Sequence, residues 1–145
     1  MPEFEAPNPN FEKNVTQVVG SMPAARYIGF EFAKVEPGLV QLNLSSRAEL
    51  LEHQGSFQGG IIGALIDFAG AAANGTLLPQ NHMLVTLDYS VKLHIPAKAK
   101  TLIAIGHVLS AGRSISTATV SIWNDSEEDM LSASGLVTTK SSKIS

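Results

Sequence analysis

No cysteine occurs among the 145 residues. That excludes disulfides, thiolate metal sites and a cysteine nucleophile, and fits any redox compartment. Positive charge is sparse. Ten lysines and arginines against 13 acids give a formal net charge of −3, and no basic cluster supplies the footprint of a nucleic-acid partner. Long apolar runs are missing as well. The longest apolar stretch is interrupted by Asp67 and Asn74, which argues against a membrane span, and the N-terminus has neither the charged nor the apolar region of a signal peptide. We therefore expect a cytoplasmic protein with no membrane partner. Internal repeats and low-complexity segments are also lacking. What is present is apolar content, 44% of residues, enough in a chain of this length to bury a core. We read 1–145 as one domain, with an N-terminal arm and short helix over 1–22 and a core over 23–140.

Along the chain, Met1 to Pro9 is proline-rich and is expected to be loose. Phe11, Val15, Val18, Val19 and Met22 then recur at helical spacing, predicting a short amphipathic helix with Asn8 as cap, Pro9 in the first turn and Pro23 as terminator. Residues Tyr27 to Val35 and Leu39 to Ser45 are strand-like around Pro37-Gly38 and read as a hairpin. Four further strands are expected at about Leu84–Ile95, Thr101–Ser110, Ser114–Trp123 and Met130–Lys140. Pro96, the Ala111-Gly112-Arg113 turn and an Asn124-Asp125-Ser126 loop separate them. In the first of these strands, period-two alternation puts Leu87, Tyr89, Val91, Leu93 and Ile95 on one face and Thr86, Asp88, Ser90, Lys92 and His94 on the other. Residues Ser141 to Ser145 are expected to fray. The order helix, two strands, long helix, four strands is α+β with a mostly antiparallel sheet.

The chain is organised around the stretch from Glu52 to Leu78. A turn, Gly55-Ser56-Phe57-Gln58-Gly59-Gly60, opens into a segment that is apolar on nearly every side, the mark of a helix buried in mid-domain. Gly59 and Gly60 let a ligand approach the backbone, and the first N–H groups of the helix behind them have no intrahelical partner. Such an end suits an oxyanion. Asp67 is the one acid inside this helix, and it is either a functional carboxylate or a satisfied polar group at a subunit interface. His53, His82, His94 and His107 show no paired metal-ligand spacing, so no metal is expected.

These residues resemble the hotdog-fold acyl-CoA thioesterases, in the branch similar to the phenylacetate-pathway thioesterase. The resemblance runs from about Tyr27 to Lys140. That branch carries an asparagine, a glycine, then His-Gly-Gly opening the central helix, and an aspartate nine residues after the histidine. Here the matching stretch is Glu52 to Gly60, with Asp67 nine residues beyond Gln58. Ile95-Pro96-Ala97 and Gly112-Arg113 look like the family's Pro-Ala strand end and Gly-Arg turn. The resemblance implies an antiparallel sheet wrapped around a long central helix, and hydrolysis of acyl-CoA to free acid and coenzyme A without metal or redox cofactor. It implies that the Gly59 N–H polarises the thioester carbonyl and that Asp67 acts as general base or nucleophile. Thr86 matches a position that can orient the attacking water. Gly60 and Arg113, with Lys98 and Lys100 as further cations, are candidates to meet coenzyme A.

Gln58 stands where histidine is usual, and Glu52 where asparagine is usual. Glutamine still donates and accepts hydrogen bonds but does not titrate. A carboxylate at 52 either lies near Asp67 and repels it, or points away and leaves Gln54 to supply the missing amide. These changes keep open a non-catalytic acyl-CoA binding or sensing protein. A hotdog hydratase would carry a different histidine-and-acid motif. Gly59 and Asp67 are eight residues apart, about 12 Å along an α-helix, so one helix cannot bring both to one carbonyl. The family's solution is a homodimer with shared sites, and the polar sheet face that carries Thr86 allows a dimer of dimers.

Overall fold

The computed structural model describes residues 3–125 and 130–145. Met1, Pro2 and the Ser126 of the expected last loop lie outside the described residues. The elements are α1 (Phe11–Gly20), α2 (Pro23–Ile28), β1 (Glu31–Glu36), β2 (Leu39–Ser45), α3 (Gly59–Gly75), β3 (His82–Leu93), β4 (Thr101–Ala111), β5 (Ile115–Asn124) and β6 (Met130–Lys143). A single 3-10 turn, Ala48–Leu50, precedes the glycine-rich loop. The six strands form one sheet in the order β1-β2-β4-β5-β6-β3, and each neighbouring pair is antiparallel. β1 and β3 are its edges. α3 packs against β2 to β6, which is the hotdog arrangement the resemblance implies.

The seam between α3 and the sheet is where most of the core lies. Leu65, Ile66 and Ala69 of α3 are fully buried against Leu42 and Leu44 of β2, Leu102 and Ala104 of β4, Ile122 of β5 and Val137 of β6. Each large aliphatic side chain so buried contributes roughly 1.5–3 kcal/mol. The helix meets the strands at two glycines that leave no room for a Cβ. A Cβ at Gly106 would sit 2.5 Å from the Ala69 carbonyl oxygen, and one at Gly70 would collide with Val137. Asn74, the second polar residue of the helix, is buried and donates Nδ2 to Thr139 Oγ1 at 3.0 Å. At the helix end Thr76 Oγ1 accepts the Gly38 N–H at 2.8 Å, fastening the β1–β2 turn to α3.

Five expectations are corrected. The Tyr27–Val35 strand begins only at Glu31, because Pro23 starts a helix instead of merely ending one. It stands at the first turn of α2, where its fixed φ fits and its missing N–H is no loss. Gly29, at φ 84°, closes α2 in the left-handed conformation. Arg47 donates to the Tyr27 and Ile28 carbonyls and stacks its guanidinium 5.7 Å from the Tyr27 ring, so the last turn of α2 is held by a cation. The cap of α1 is Asn10, and Pro9 precedes it. Asn8 lies two residues earlier, buried, its Oδ1 accepting the Asn10 N–H at 2.9 Å. Met22 falls outside α1, at the cap of α2. The arm is anchored, since Phe4 packs against the core over Gly38. Finally, Ser141–Lys143 extend β6 along β3, with His82 opposite Lys143. Pairing along a long neighbour overrides the weak local signal of a serine-rich tail.

Candidate active site

Asp67 lies midway along α3 and is half-buried. Thr86 Oγ1 donates to Asp67 Oδ1 at 2.8 Å, so helix and strand meet at these two side chains. Strict alternation put Thr86 on the face opposite Tyr89, Val91 and Leu93. The structure corrects this with a β-bulge. Thr86 pairs with Thr139 and Asp88 with Thr138, leaving Leu87 as an extra residue. Parity reverses across it. Thr86 therefore faces α3 in the first half of β3, while Tyr89 and Val91 lie beside Gly63 and Leu93 beside Gly59 in the second half. Leu87 is left 53% exposed on the free sheet edge. Asp67 Oδ2 has no hydrogen-bond partner among the described residues, and it is the oxygen available to a ligand.

The other end of α3 is built by the loop 51–58. An isolated bridge pairs Leu51 with Phe57, the Glu52 N–H donates to the Ser56 carbonyl at 2.8 Å, and the Gln58 N–H to the Leu50 carbonyl at 3.0 Å. Gly55, at φ 90°, supplies the left-handed residue the turn requires. Glu52 Oε1 accepts the N–H groups of Gln54 and Ser56 at 2.9 and 2.8 Å. One carboxylate oxygen, Oε1, thus holds its own turn. Gln58 is the N-cap, its Oε1 accepting from Gly60 N at 2.6 Å and Ile61 N at 3.3 Å. The Gly60 donor is occupied in this way. A Cβ at Gly60 would come within 2.8 Å of that capping oxygen, which gives this glycine a packing reason. Gly59 is half-buried, and its N–H, like the Gln58 amide nitrogen, has no partner among the described residues. Two donors are therefore free at the helix start, where the macrodipole favours negative charge.

Within one chain these parts form two separate half-sites. Glu52, Gln54 and Gly59 line a depression with Leu93, His94 and Pro96, whereas Asp67 and Thr86 stand in the wall of a cleft of about 480 Å³ between α1, α3 and β3. Eight residues of helix, about 12 Å, separate Gly59 from Asp67. Gly60 and Arg113 are also kept apart. Gly59 abuts Leu93 at one end of β3, while Arg113 is exposed in the β4–β5 turn, next to Ser114, whose carbonyl accepts from Ser141, the partner of Leu84. Lys98 comes close to the 52–58 loop, its Cε 3.8 Å from where a Gly55 Cβ would be. Sequence reasoning assigned α1 no role at the site. Its stripe Val15, Val18, Val19, together with Met22, lines the cleft opposite Asp67, and the i, i+3, i+4, i+7 spacing was the signal for it.

A long helix wrapped by an antiparallel sheet, with a half-buried acid at mid-helix and free N–H donors at its start, belongs to the hotdog class. The chain is a member of the thioesterase superfamily, whose sequence model matches residues 54–131. Solved structures share the fold. A thioesterase family protein from Silicibacter pomeroyi superposes with a TM-score of 0.86 at 21% identity, over 92% of this chain and 98% of that one. Thioesterase HI1161 from Haemophilus influenzae gives 0.81 at 20% identity, over 99% and 94%. The E. coli PaaI protein, from the phenylacetic acid degradation operon, gives 0.79 at 20% identity, over 94% of each chain. Comparison with curated protein sequences finds no match. Among the described residues no helix is long and apolar enough to cross a membrane.

Proposed function

We propose that this thioesterase-superfamily protein is a cytoplasmic enzyme that hydrolyses acyl-CoA thioesters to the free acid and coenzyme A. The observation that carries the reading is the Thr86–Asp67 hydrogen bond of 2.8 Å. It fixes one carboxylate oxygen on the strand and leaves the other facing a cleft. In the proposed reaction a water donates a proton to Asp67 Oδ2 as its oxygen attacks the thioester carbonyl. The carbonyl oxygen becomes an oxyanion that accepts the Gly59 N–H, with the free amide of Gln58 as a second donor. When the C–S bond breaks, the proton on Asp67 passes to the departing thiolate. The ledger closes without metal or redox cofactor. Direct attack by Oδ2, followed by hydrolysis of the anhydride, uses the same groups.

Because the donors and the acid of one chain are about 12 Å apart along α3, we assign each complete site to two subunits. The Gly59 end of one helix would face Asp67 of the other. The free edge of β3 supports this, since Met83, Val85 and Leu87 expose apolar side chains on a strand that is paired with β6 on one side only. A dimer of dimers would use the outer sheet face. In such an assembly Arg113, on the Asp67 side, and Gly60, on the donor side, flank the same mouth, where Arg113 and Lys98 can meet coenzyme A phosphates. The test is an assay of purified protein against short, medium, long and aryl acyl-CoAs. Release of free coenzyme A is the expected result. Saturable acyl-CoA binding with no turnover would replace hydrolysis by the binding or sensing role.

A further inference from the structure

The cleft that holds Asp67 in its wall is apolar over most of its length and has a direction. From the acid it runs past Ala71, Ala72 and Gly75 on one side and back along β3 from Thr86 toward His82 on the other. Eight residues of α3 separate Asp67 from Gly75, about 12 Å. Four residues of β3 separate Thr86 from His82, about 13 Å. Helix and strand thus give the same length independently. The third wall is Val15, Val18 and Val19 of α1 with Met22 beyond it, and Val18 is 52% exposed although its neighbours Val15 and Val19 are buried. At the far end Asn14 and His82 stand beside Leu78 and Ile144, and the same Asn14 and His82 border a polar depression with Asn10, Lys13 and Gln80, groups whose burial by methylenes would be unfavourable.

Resting on the hydrolase reading above, we infer that this cleft is the acyl channel, and that it measures out an unbranched acyl chain of about eight to ten carbons. An extended chain advances about 1.25 Å per bond, from ordinary single-bond lengths and near-tetrahedral angles. The 12 to 13 Å between the acid and the polar end therefore takes about ten carbons. A volume of about 480 Å³ is within the range of pockets that enclose a small organic ligand. The selectivity device is α1 together with Ala71, one helical turn beyond the acid. A side chain longer than alanine at 71 would close the channel after roughly 6 Å, about five carbons.

The experiment measures kcat/KM and, by calorimetry, binding for butyryl-, hexanoyl-, octanoyl-, decanoyl- and tetradecanoyl-CoA with the wild type, Ala71→Phe and Asn14→Leu. In the wild type kcat/KM should rise about fourfold per added methylene up to about ten carbons and then stop rising, the scale set by burial of one methylene. Ala71→Phe should lower the decanoyl-to-butyryl ratio by about 100-fold or more, the loss of several such steps. Asn14→Leu, which removes the polar end, should raise tetradecanoyl relative to decanoyl, a gain that misfolding cannot mimic. A wild type that hydrolyses acyl-CoAs with a length profile unmoved by both substitutions overturns the channel and leaves the hydrolase reading standing. A wild type without turnover that nevertheless binds decanoyl-CoA, and loses that binding in Ala71→Phe, overturns hydrolysis and sustains the channel. Absence of any length preference in both turnover and binding overturns the inference outright.

Discussion

Asp67→Asn separates the chemical role of the helix acid from its structural one. Asparagine is nearly isosteric, and its Oδ1 can keep accepting the Thr86 hydroxyl now held at 2.8 Å. The stability change is then that of exchanging a charge-assisted hydrogen bond for a neutral one at a half-buried site, about 1 kcal/mol. What is lost is Oδ2, the oxygen without a partner. Asparagine puts an NH2 there, a donor that can neither take a proton from water nor attack carbon. Turnover should fall by roughly 100-fold or more, while acyl-CoA binding stays close to wild type. Thiol release, followed with a chromogenic disulfide, reads the rate; calorimetry reads the affinity and thermal unfolding the fold. Turnover within about threefold of the wild type, in a protein that melts normally, would refute the role and move the chemistry elsewhere, with Glu52 the next carboxylate to test.

Gln58→Ala removes the cap on Gly60 and Ile61 as well as the free amide. It should destabilise the protein by about 1 kcal/mol in urea unfolding and also lower kcat, whereas a merely structural cap would change stability alone. Gly106→Ala drives a methyl group to 2.5 Å from the Ala69 carbonyl oxygen, so α3 must lift from the sheet; a loss of about 1–3 kcal/mol is expected in thermal or urea unfolding. Sedimentation at micromolar concentration should show a dimer or a dimer of dimers, and Leu87→Lys, which places charge on the free edge of β3, should shift it toward monomer. A monomer with full activity would defeat the shared site.

Much of the architecture was legible because it rests on period and punctuation. The apolar character of residues 61–73, broken by Asp67 alone, marked a buried helix, and clean alternation in Val40, Leu42 and Leu44 marked a strand with one buried face, as all three are. The misreadings share another cause. Tyr27 reads as a strand residue locally, yet Arg47, twenty residues on, closes a helix around its carbonyl, and no local propensity carries that information. The arm looked loose because its anchor, Phe4 over Gly38, is a tertiary contact. At the site, the family resemblance singled out Asp67 and Thr86, but their hydrogen bond depends on a bulge that period-two counting cannot see. For Glu52 the sequence left two alternatives. Its Oε1 accepts the Gln54 and Ser56 N–H groups, because an acid two residues before a backbone turn can bond to it locally before it reaches anything distant.

The extra residue at Leu87 changes how mutation can act on β3. An edge strand ordinarily absorbs a one-residue insertion or deletion by slipping its exposed side, and selection sees little. Here the two halves of the strand are written in opposite phase: Leu84 and Thr86 address the helix on even positions, Val91 and Leu93 on odd ones. Deleting Leu87 would put the whole strand into one phase, so that either the Asp67 partner or the wall beside Gly59 and Gly63 turns outward. Apolar substitutions at 87 should be tolerated, since the side chain is half-exposed, while loss of the position itself should not. For this residue length is inherited more strictly than identity, and a survey of indels along β3 would find its gap-free point in the middle of the strand instead of at its ends.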